Sequence, residues 1–161
     1  MDLDDLENLK HVAQKLEYAD ISSIQAIGES RGGLMVANLW RRVDWLEKVI
    51  LEEPELDLID NYRLRRKLKE FRSDMYDVDN NDLNREKSPI YHMEQFHTST
   101  KAMIIQGGKD LHVNPQKSIE FFQYLQEKGI FVDLHFFAKQ DHYFSVKQLW
   151  KEFLLSDDRL L

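Results

Sequence analysis

The sequence predicts an α/β fold with about four mostly parallel strands and flanking helices. Short apolar segments alternate with longer segments of helical periodicity, and this alternation is typical of parallel strands joined by right-handed crossovers. The length of 161 residues favours a single domain over residues 1–161, long enough to bury roughly two-thirds of its surface. Five of the six glycines fall in two turns, each directly after a predicted strand.

The boundaries of the predicted elements follow from periodicity and from the positions of breakers. The predicted strands span residues 21–27, 46–51, 103–106 and 131–137. The predicted helices span residues 3–19, 34–42, 59–71, 115–128 and 143–155.

In the first half of the chain, the first helix is indicated by apolar residues at helical spacing between Leu3 and Leu16. The first strand ends at Gly28, and the second helix follows the turn that contains Ser30. Two glutamates and Pro54 end the second strand. These signals place a glycine-rich turn between a strand and a helix.

In the second half, residues 72–89 contain Asp, Asn and Ser with few apolar positions and are predicted to form a loop. Gly107 ends the third strand, and Pro115 suits the first turn of the next helix. The final helix places apolar residues, including Trp150, on one side. Functional loops of such sheets gather at the carboxyl ends of the strands.

Composition excludes several classes of protein. The net charge of −7 and the pI near 5.4 argue against a nucleic-acid partner, which requires clustered basic residues. The absence of cysteine excludes a disulfide framework and thiolate metal sites, and fits a reducing compartment such as the cytoplasm. No apolar run approaches the roughly 18 residues of a membrane span, and we expect no membrane partner.

Residues 28–33 read Gly-Glu-Ser-Arg-Gly-Gly and match the Gly-x-Ser-x-Gly nucleophile elbow between a strand and a helix. A strained turn would lift the Ser30 hydroxyl into the open, while Gly28, Gly32 and Gly33 would let strand and helix approach. The backbone N–H of Arg31, at the start of the helix, would be one oxyanion donor. The motif therefore predicts a serine nucleophile.

Two further residues complete a catalytic arrangement. Asp110 follows the third predicted strand and His142 follows the fourth, so both are expected at the same edge of the sheet as Ser30. The order Ser, Asp, His is that of the α/β-hydrolase triad. His142 would accept the serine proton, and Asp110 would hold the imidazole in the required tautomer.

Simpler interpretations exist for each residue. Glycine-serine turns are common, so the motif alone is a weak signal. An aspartate after a strand often caps a loop, which is the simpler interpretation of Asp110. Asp141 is an alternative to Asp110 as the residue that orients His142, but adjacent side chains rarely face each other. His135, inside a strand pattern, is interpreted as structural. The remaining histidines are predicted to be surface or loop residues: His11, His92, His97 and His112.

Metal and phosphate sites are not predicted. Residues 77–82 resemble the start of a calcium loop but lack the required glycine, and Ser88 stands where the loop needs glutamate. The sequence has no His-Glu-x-x-His motif, and no Gly-Lys-Ser/Thr follows the glycines. We therefore expect neither a metal ion nor another cofactor.

Taken in order, several segments resemble the C-terminal part of the catalytic domain of the prolyl oligopeptidase family of serine peptidases. The segment Ile-Ile-Gln-Gly-Gly-Lys-Asp-Leu-His-Val at 104–113 is similar to the family's acid segment, and the Ser-Arg-Gly-Gly form of the elbow occurs in one branch of such hydrolases. The other matching positions are Asp4-Asp5-Leu6, Pro54, Asp57, Ser88-Pro89 and Asp141-His142.

This resemblance implies a partial α/β-hydrolase fold and cleavage of short peptides through an acyl-enzyme, with Ser30 as nucleophile, Asp110 as acid and His142 as base. Upstream strands of the family's domain, and the second oxyanion donor they accompany, have no counterpart here. Two alternatives stay open: a truncated or split non-catalytic hydrolase module, and a carboxylesterase-like hydrolase of acyl esters. The expected partners are a peptide or acyl ester, and a second copy or missing N-terminal portion that pairs with the edge at residues 21–27.

Overall fold

The fold is a four-stranded parallel sheet with helices on its two faces. The computed structural model describes residues 3–67, 81–142, 144 and 146–156, with the backbone only at 65–67. The strands follow one another across the sheet in chain order: β1 Ile24–Glu29, β2 Leu46–Glu52, β3 Lys101–Gly107 and β4 Val132–Phe137. This confirms the predicted α/β class and the parallel strands.

Helices connect the strands, and two single 3₁₀ turns lie at Pro89–Tyr91 and Met93–Gln95. In the described part of the chain the α-helices are α1 Leu3–Ala13, α2 Arg31–Arg42, α3 Leu58–Lys67, α4 Asn81–Lys87, α5 Pro115–Glu127 and α6 Lys147–Leu155. None of these helices is long and apolar enough to cross a membrane.

The N-terminal elements are shorter than their sequence pattern predicts. Helix α1 ends at Ala13, and Leu16 and Tyr18, which the sequence pattern placed in the helix, follow it as exposed residues. Strand β1 begins at Ile24, because the Asp20 carboxylate accepts hydrogen bonds from the backbone N–H and the hydroxyl of Ser22. This local turn competes with the strand pairing.

The prediction of a loop over residues 72–89 is wrong for its second half, since residues 81–87 form α4. The helix is fixed by buried polar contacts rather than by an apolar stripe: the Ser88 hydroxyl donates to the Asn84 carbonyl and accepts the Leu58 N–H. Residues 68–80, which include Phe71, the first part of this loop and most of the calcium-like segment, lie outside the described residues.

The last predicted helix begins at Lys147, not at residue 143. Phe144 and Val146 precede it and pack against the apolar cluster under α6. Residues 143 and 145 lie outside the described part of the chain.

The sheet separates two apolar clusters, as alternating side chains of buried strands require. On one face, Val49 and Leu51 pack with Trp40 of α2 and Phe121 of α5. On the other face, the smaller cluster is held by β2, β3 and α6, and consists of Ile50, Met103, Ile105 and Phe153. The core thus fixes the strand ends that carry the candidate site residues.

A buried lysine joins the smaller cluster to the end of α6. Lys48, in β2, is 2% exposed, and its ammonium donates to the carbonyls of Phe153, Leu154 and Ser156 at 3.1, 3.3 and 2.8 Å. These carbonyls end a helix, where a cation is favourable. These hydrogen bonds hold the end of α6 against the sheet.

Candidate active site

The turn after β1 has the strained geometry of a nucleophile elbow. Ser30 has φ 53° and ψ −113°, values that are rare for a residue other than glycine. Its N–H donates to the Glu52 carbonyl at 2.8 Å, and its carbonyl accepts the N–H of Glu55 at 3.2 Å. Arg31 is the first residue of α2, where a backbone N–H has no partner within the helix.

Two of the three elbow glycines are required by close approach. A Cβ at Gly28 would lie 2.2 Å from the Gly32 carbonyl oxygen, and a Cβ at Gly33 would lie 2.8 Å from the Pro54 side chain. A Cβ at Gly32 would meet nothing within 4 Å. The expectation that Gly32 must be small for packing is therefore wrong, because its Cα faces open space.

The structure brings the three predicted site residues together. The His142 Nε2 lies 3.0 Å from the Ser30 hydroxyl oxygen, and the His142 Nδ1 lies 2.7 Å from the Asp110 Oδ2. With the proton on Nδ1, the imidazole donates to Asp110 and can accept from Ser30. The carboxylate that contacts Nδ1 at 2.7 Å is thus Asp110, while the rival Asp141 is exposed.

Asp110 is held by donors on several sides. Its Oδ1 accepts the backbone N–H groups of His112 and Val113 at 2.7 and 3.0 Å. Its Oδ2 also accepts the Gln106 amide at 3.2 Å, and the Ser118 hydroxyl fixes the other end of that amide at 2.7 Å. Burial favours the neutral acid, but the hydrogen bonds prevail and hold the pKa of Asp110 below its ordinary value.

The loops that carry Asp110 and His142 are joined by backbone contacts. The Gly108 N–H donates to the Phe137 carbonyl, and the Lys109 N–H donates to the Gln140 carbonyl. A Cβ at Gly107 would lie 2.3 Å from the Asp141 carbonyl oxygen. The glycine pair after β3 therefore permits the approach that places His142 over Asp110.

His112 lies in a loop, in agreement with the prediction of a surface or loop residue, and it lies close to the site. Its ring centroid is 4.9 Å from that of His142, with a tilt of 40° between the rings. Its side chain is half-buried. Its position two residues after Asp110, in the loop that holds the acid, explains the proximity.

Sequence reasoning missed two buried carboxyl groups at the end of β2. Glu53 is fully buried, neither of its carboxylate oxygens has a hydrogen-bond partner, and its Oε2 lies 3.7 Å from the His142 Nδ1. Burial, together with Asp110 and other nearby carboxylates, raises its pKa to about 9. Burial and the neighbouring Glu29 raise the pKa of Glu52 to about 7. The signal available was a pair of glutamates directly after an apolar strand.

Within the described residues, Glu53, Asp110 and His142 form a group of possible metal ligands, with donor atoms that lie within 4.8 Å of one another. The 2.7 Å contact between Asp110 and His142 is that of a hydrogen bond. Two ligands of a tetrahedral ion with bonds of about 2.0 Å would stand about 3.3 Å apart. The spacing of Asp110 and His142 is therefore that of a hydrogen-bonded pair rather than of two ligands on one metal ion.

Comparison with known proteins identifies a family. The family model described as the prolyl oligopeptidase family matches residues 2–155. No curated protein matches the sequence.

Solved structures share the fold at low sequence identity. An acylaminoacyl peptidase from Pyrococcus horikoshii is 20% identical, with a TM-score of 0.77 over 94% of this chain and 26% of its own. A dipeptidyl peptidase 4 from Porphyromonas gingivalis is 19% identical, with a TM-score of 0.73 over 94% of this chain and 22% of its own. An esterase from Pyrococcus furiosus is 16% identical, with a TM-score of 0.68 over 94% of this chain and 57% of its own. The chain thus spans about a quarter of the length of the peptidases.

Proposed function

The chain belongs to the prolyl oligopeptidase family, and we propose that it is a serine-type peptidase that cleaves short peptides through an acyl-enzyme. In this proposal Ser30 is the nucleophile, His142 the general base and Asp110 the acid. The observation that carries it is the continuous chain of contacts from the Ser30 hydroxyl through His142 to Asp110, at 3.0 and 2.7 Å.

The geometry suits acyl transfer in two steps. As the Ser30 oxygen attacks the carbonyl carbon, His142 Nε2 takes the hydroxyl proton and then gives it to the leaving amine as the carbon–nitrogen bond breaks. Water then attacks the acyl-enzyme, His142 takes a proton from that water, and Ser30 regains its proton when the acid product leaves. The negative charge of Asp110 stabilises the imidazolium in both steps.

The developing oxyanion needs donors that are in place before the reaction. We assign one to the Arg31 N–H, because it opens α2 directly after Ser30 and the helix dipole favours negative charge there. For the second donor we propose a segment that pairs with the open edge of β1, because Ser30 follows that strand. That segment would come from a second copy or from a preceding portion of a longer protein.

A fluorophosphonate probe tests the nucleophile, because it labels an activated serine irrespective of the substrate. We expect labelling at Ser30, loss of labelling in Ser30→Ala, and unchanged labelling in the control Ser22→Ala, since Ser22 is exposed and bonded to Asp20. Label that persists in Ser30→Ala contradicts the assignment.

A second candidate is a carboxylesterase-like hydrolase of acyl esters. The same triad geometry supports it, because the imidazole can protonate either the amine leaving group of a peptide or the alcohol leaving group of an ester. The likeness to the fold of an esterase also supports it. Parallel panels of short peptides and of acyl esters separate the two, and we expect the higher kcat/KM on peptides. A chain without labelling or turnover, even when assembled with a partner at β1, would instead be a non-catalytic module.

A further inference from the structure

Glu53 is a buried carboxyl group that the proposed triad leaves without a role. It has 0% exposure, and neither of its carboxylate oxygens has a hydrogen-bond partner. Its backbone has φ 45°, in the region that favours glycine, and its N–H donates to the Ile105 carbonyl at the end of β3. A buried, unsatisfied carboxyl on a strained backbone is costly for stability, and such features concentrate at functional sites.

Two carboxyl groups therefore face one imidazole nitrogen. Asp110 Oδ2 lies 2.7 Å and Glu53 Oε2 lies 3.7 Å from His142 Nδ1. Two carboxyl groups on one side of an imidazole do not readily ionise together, since charging both is unfavourable. The other charged groups that face Glu53 come from the ends of β1 and β2 and from the loop after β4, and all are acidic: Glu29, Glu52 and Asp141.

The proton resides on Glu53 at neutral pH. Burial and the surrounding carboxylates raise the pKa of Glu53 to about 9. In Asp110 the burial effect is overcome by hydrogen bonds from His142 and the backbone, so its pKa is lowered. The single negative charge on this side of His142 therefore belongs to Asp110 in the native protein.

We propose that Glu53 is a second positioning residue for His142, which lies beside Nδ1 next to Asp110 and carries the negative charge when Asp110 is neutralised. The inference rests on the proposed function for the role of His142 as base. Burial is the largest cause of the raised pKa of Glu53, and repulsion from Asp110 is the next. Removal of the Asp110 charge therefore lowers this pKa and favours a Glu53 carboxylate beside the nitrogen that needs an acceptor. At alkaline pH, neutralising either group leaves one carboxylate, whereas neutralising both leaves none.

The test compares the full chain with Asp110→Asn, Glu53→Gln and the double variant. The asparagine keeps an oxygen for the backbone N–H groups of His112 and Val113. The matched control is Glu52→Gln, alone and combined with Asp110→Asn, because Glu52 is an adjacent buried carboxyl whose loss lowers the pKa of Glu53 but leaves the Glu53 carboxyl beside His142. Glu53→Met, of similar length and uncharged, replaces Glu53→Gln if the glutamine variant does not fold.

The first measurement is the ¹⁵N chemical shift of His142 Nδ1 at pH 9, assigned by its absence in His142→Gln. We expect a protonated Nδ1 in the wild type, in each single variant and in the Glu52 control. We expect loss of that proton only when both Asp110 and Glu53 are neutral. Equal shifts in Asp110→Asn and in the double variant overturn the proposal, whether or not the chain hydrolyses any substrate.

The second measurement is the rate of fluorophosphonate labelling at Ser30. We expect Glu53→Gln to stay within about threefold of the wild type at neutral pH, since amide replaces neutral acid. At pH 9, where Glu53 can ionise, Asp110→Asn should lose about 100-fold rather than the about 10,000-fold expected for a triad that keeps no carboxylate, and the double variant should lose at least about tenfold more. Labelling of Asp110→Asn should rise at alkaline pH as Glu53 ionises, and this rise should vanish in the double variant.

The two measurements separate the two proposals. An absence of Ser30 labelling in every protein, with the expected difference in the nitrogen shifts, contradicts the proposed function and leaves the role of Glu53 standing. Normal Ser30 labelling, with equal shifts and equal rates in Asp110→Asn and the double variant, supports the function and eliminates Glu53 as a positioning residue.

Discussion

Strands β3 and β1 are each followed by a candidate site residue, but the two strands are supported very differently. β3 pairs with a strand on both sides, and six of its seven residues are buried. β1 lies at the edge of the described sheet, pairs only with β2, and has one buried residue, Gly28. Ile27 of β1 is 42% exposed, whereas Ile104 of β3 is fully buried.

This difference divides the site into two halves. The half that contains Asp110 and His142 is built into the core, with buried donors on the acid and backbone contacts between the loops. The half that contains Ser30 depends on one strand, on α2 and on hydrogen bonds from the end of β2. We infer that the acid–base half is organised by this chain, and that the nucleophile half is sensitive to whatever pairs with β1.

The largest expected effect tests whether the halves act as one unit. Ser30→Ala and His142→Ala should each reduce hydrolysis by several powers of ten, and by similar factors, because residues that transfer one proton fail together. Single-turnover assays on the same substrate measure both. A His142→Ala variant that retains more than about a tenth of the activity would separate the halves and contradict the proposed triad.

The next effect concerns the open edge of β1. Unpaired N–H and C=O groups on an apolar edge favour pairing with another chain, and loss of one oxyanion donor typically costs about 100- to 1,000-fold in turnover. We therefore expect the 161-residue chain to self-associate and to turn over substrate more slowly than about 1 per second. Sedimentation beside an ester-hydrolysis assay measures both. A monomer that exceeds this turnover contradicts the argument.

A matched pair of variants locates the association. Ile27→Lys places a charge on β1, and Phe131→Lys places one just before β4, at the opposite edge, with the same 42% exposure. We expect Ile27→Lys to shift sedimentation towards the monomer and Phe131→Lys to leave it unchanged. Equal effects would show non-specific apolar association instead.

A smaller effect compares two glycines of one motif. Gly28→Ala should destabilise the protein by about 3 kcal/mol or more, because its Cβ would overlap the Gly32 carbonyl. Gly32→Ala should be neutral or stabilise by up to about 1 kcal/mol, because the position is helical and open. Urea unfolding measures both. A large loss of stability in Gly32→Ala would mean that some constraint other than the close approach of β1 and α2 requires glycine in this motif.

The last effect, the smallest per step of one pH unit, is the pH dependence of stability. The pKa of Glu53 is raised from 4.5 to about 9 in the folded chain, so the folded state retains a proton that the unfolded state has lost. The free energy of unfolding should therefore fall between about pH 4.5 and pH 9, by at most about 1.4 kcal/mol per pH unit. The lowered pKa of Asp110 acts in the opposite direction, but only in more acidic solution.

Glu53→Gln isolates this contribution. We expect the variant to be more stable than the wild type at pH 9 and to lose the slope between about pH 7 and pH 9, while Glu52 maintains a slope below about pH 7. Urea unfolding at several pH values measures the slope. An unchanged slope in Glu53→Gln would show that Glu53 is already ionised in the fold.

The sequence alone predicts the class of fold, the four strands and the group formed by Ser30, Asp110 and His142, because periodicity and glycine turns are local signals. It does not reveal that Glu53 and Lys48 are buried, because charged residues are ordinarily exposed and only tertiary contacts bury them. Helix α4 was missed for a related reason, since a hydrogen bond between Ser88 and Asn84 fixes it without an apolar stripe. The roles of the three site residues remain predictions.

The ammonium of Lys48 also sets an order of events during synthesis. Because its acceptors are the carbonyls of residues 153, 154 and 156, α6 can dock on β2 only after the ribosome has released the chain as far as Ser156. The loop that carries His142 is anchored between β4 and α6, so it settles after the turns of Ser30 and Asp110. A nascent chain would therefore complete the line of contacts from Ser30 through His142 to Asp110 only after translation has passed α6.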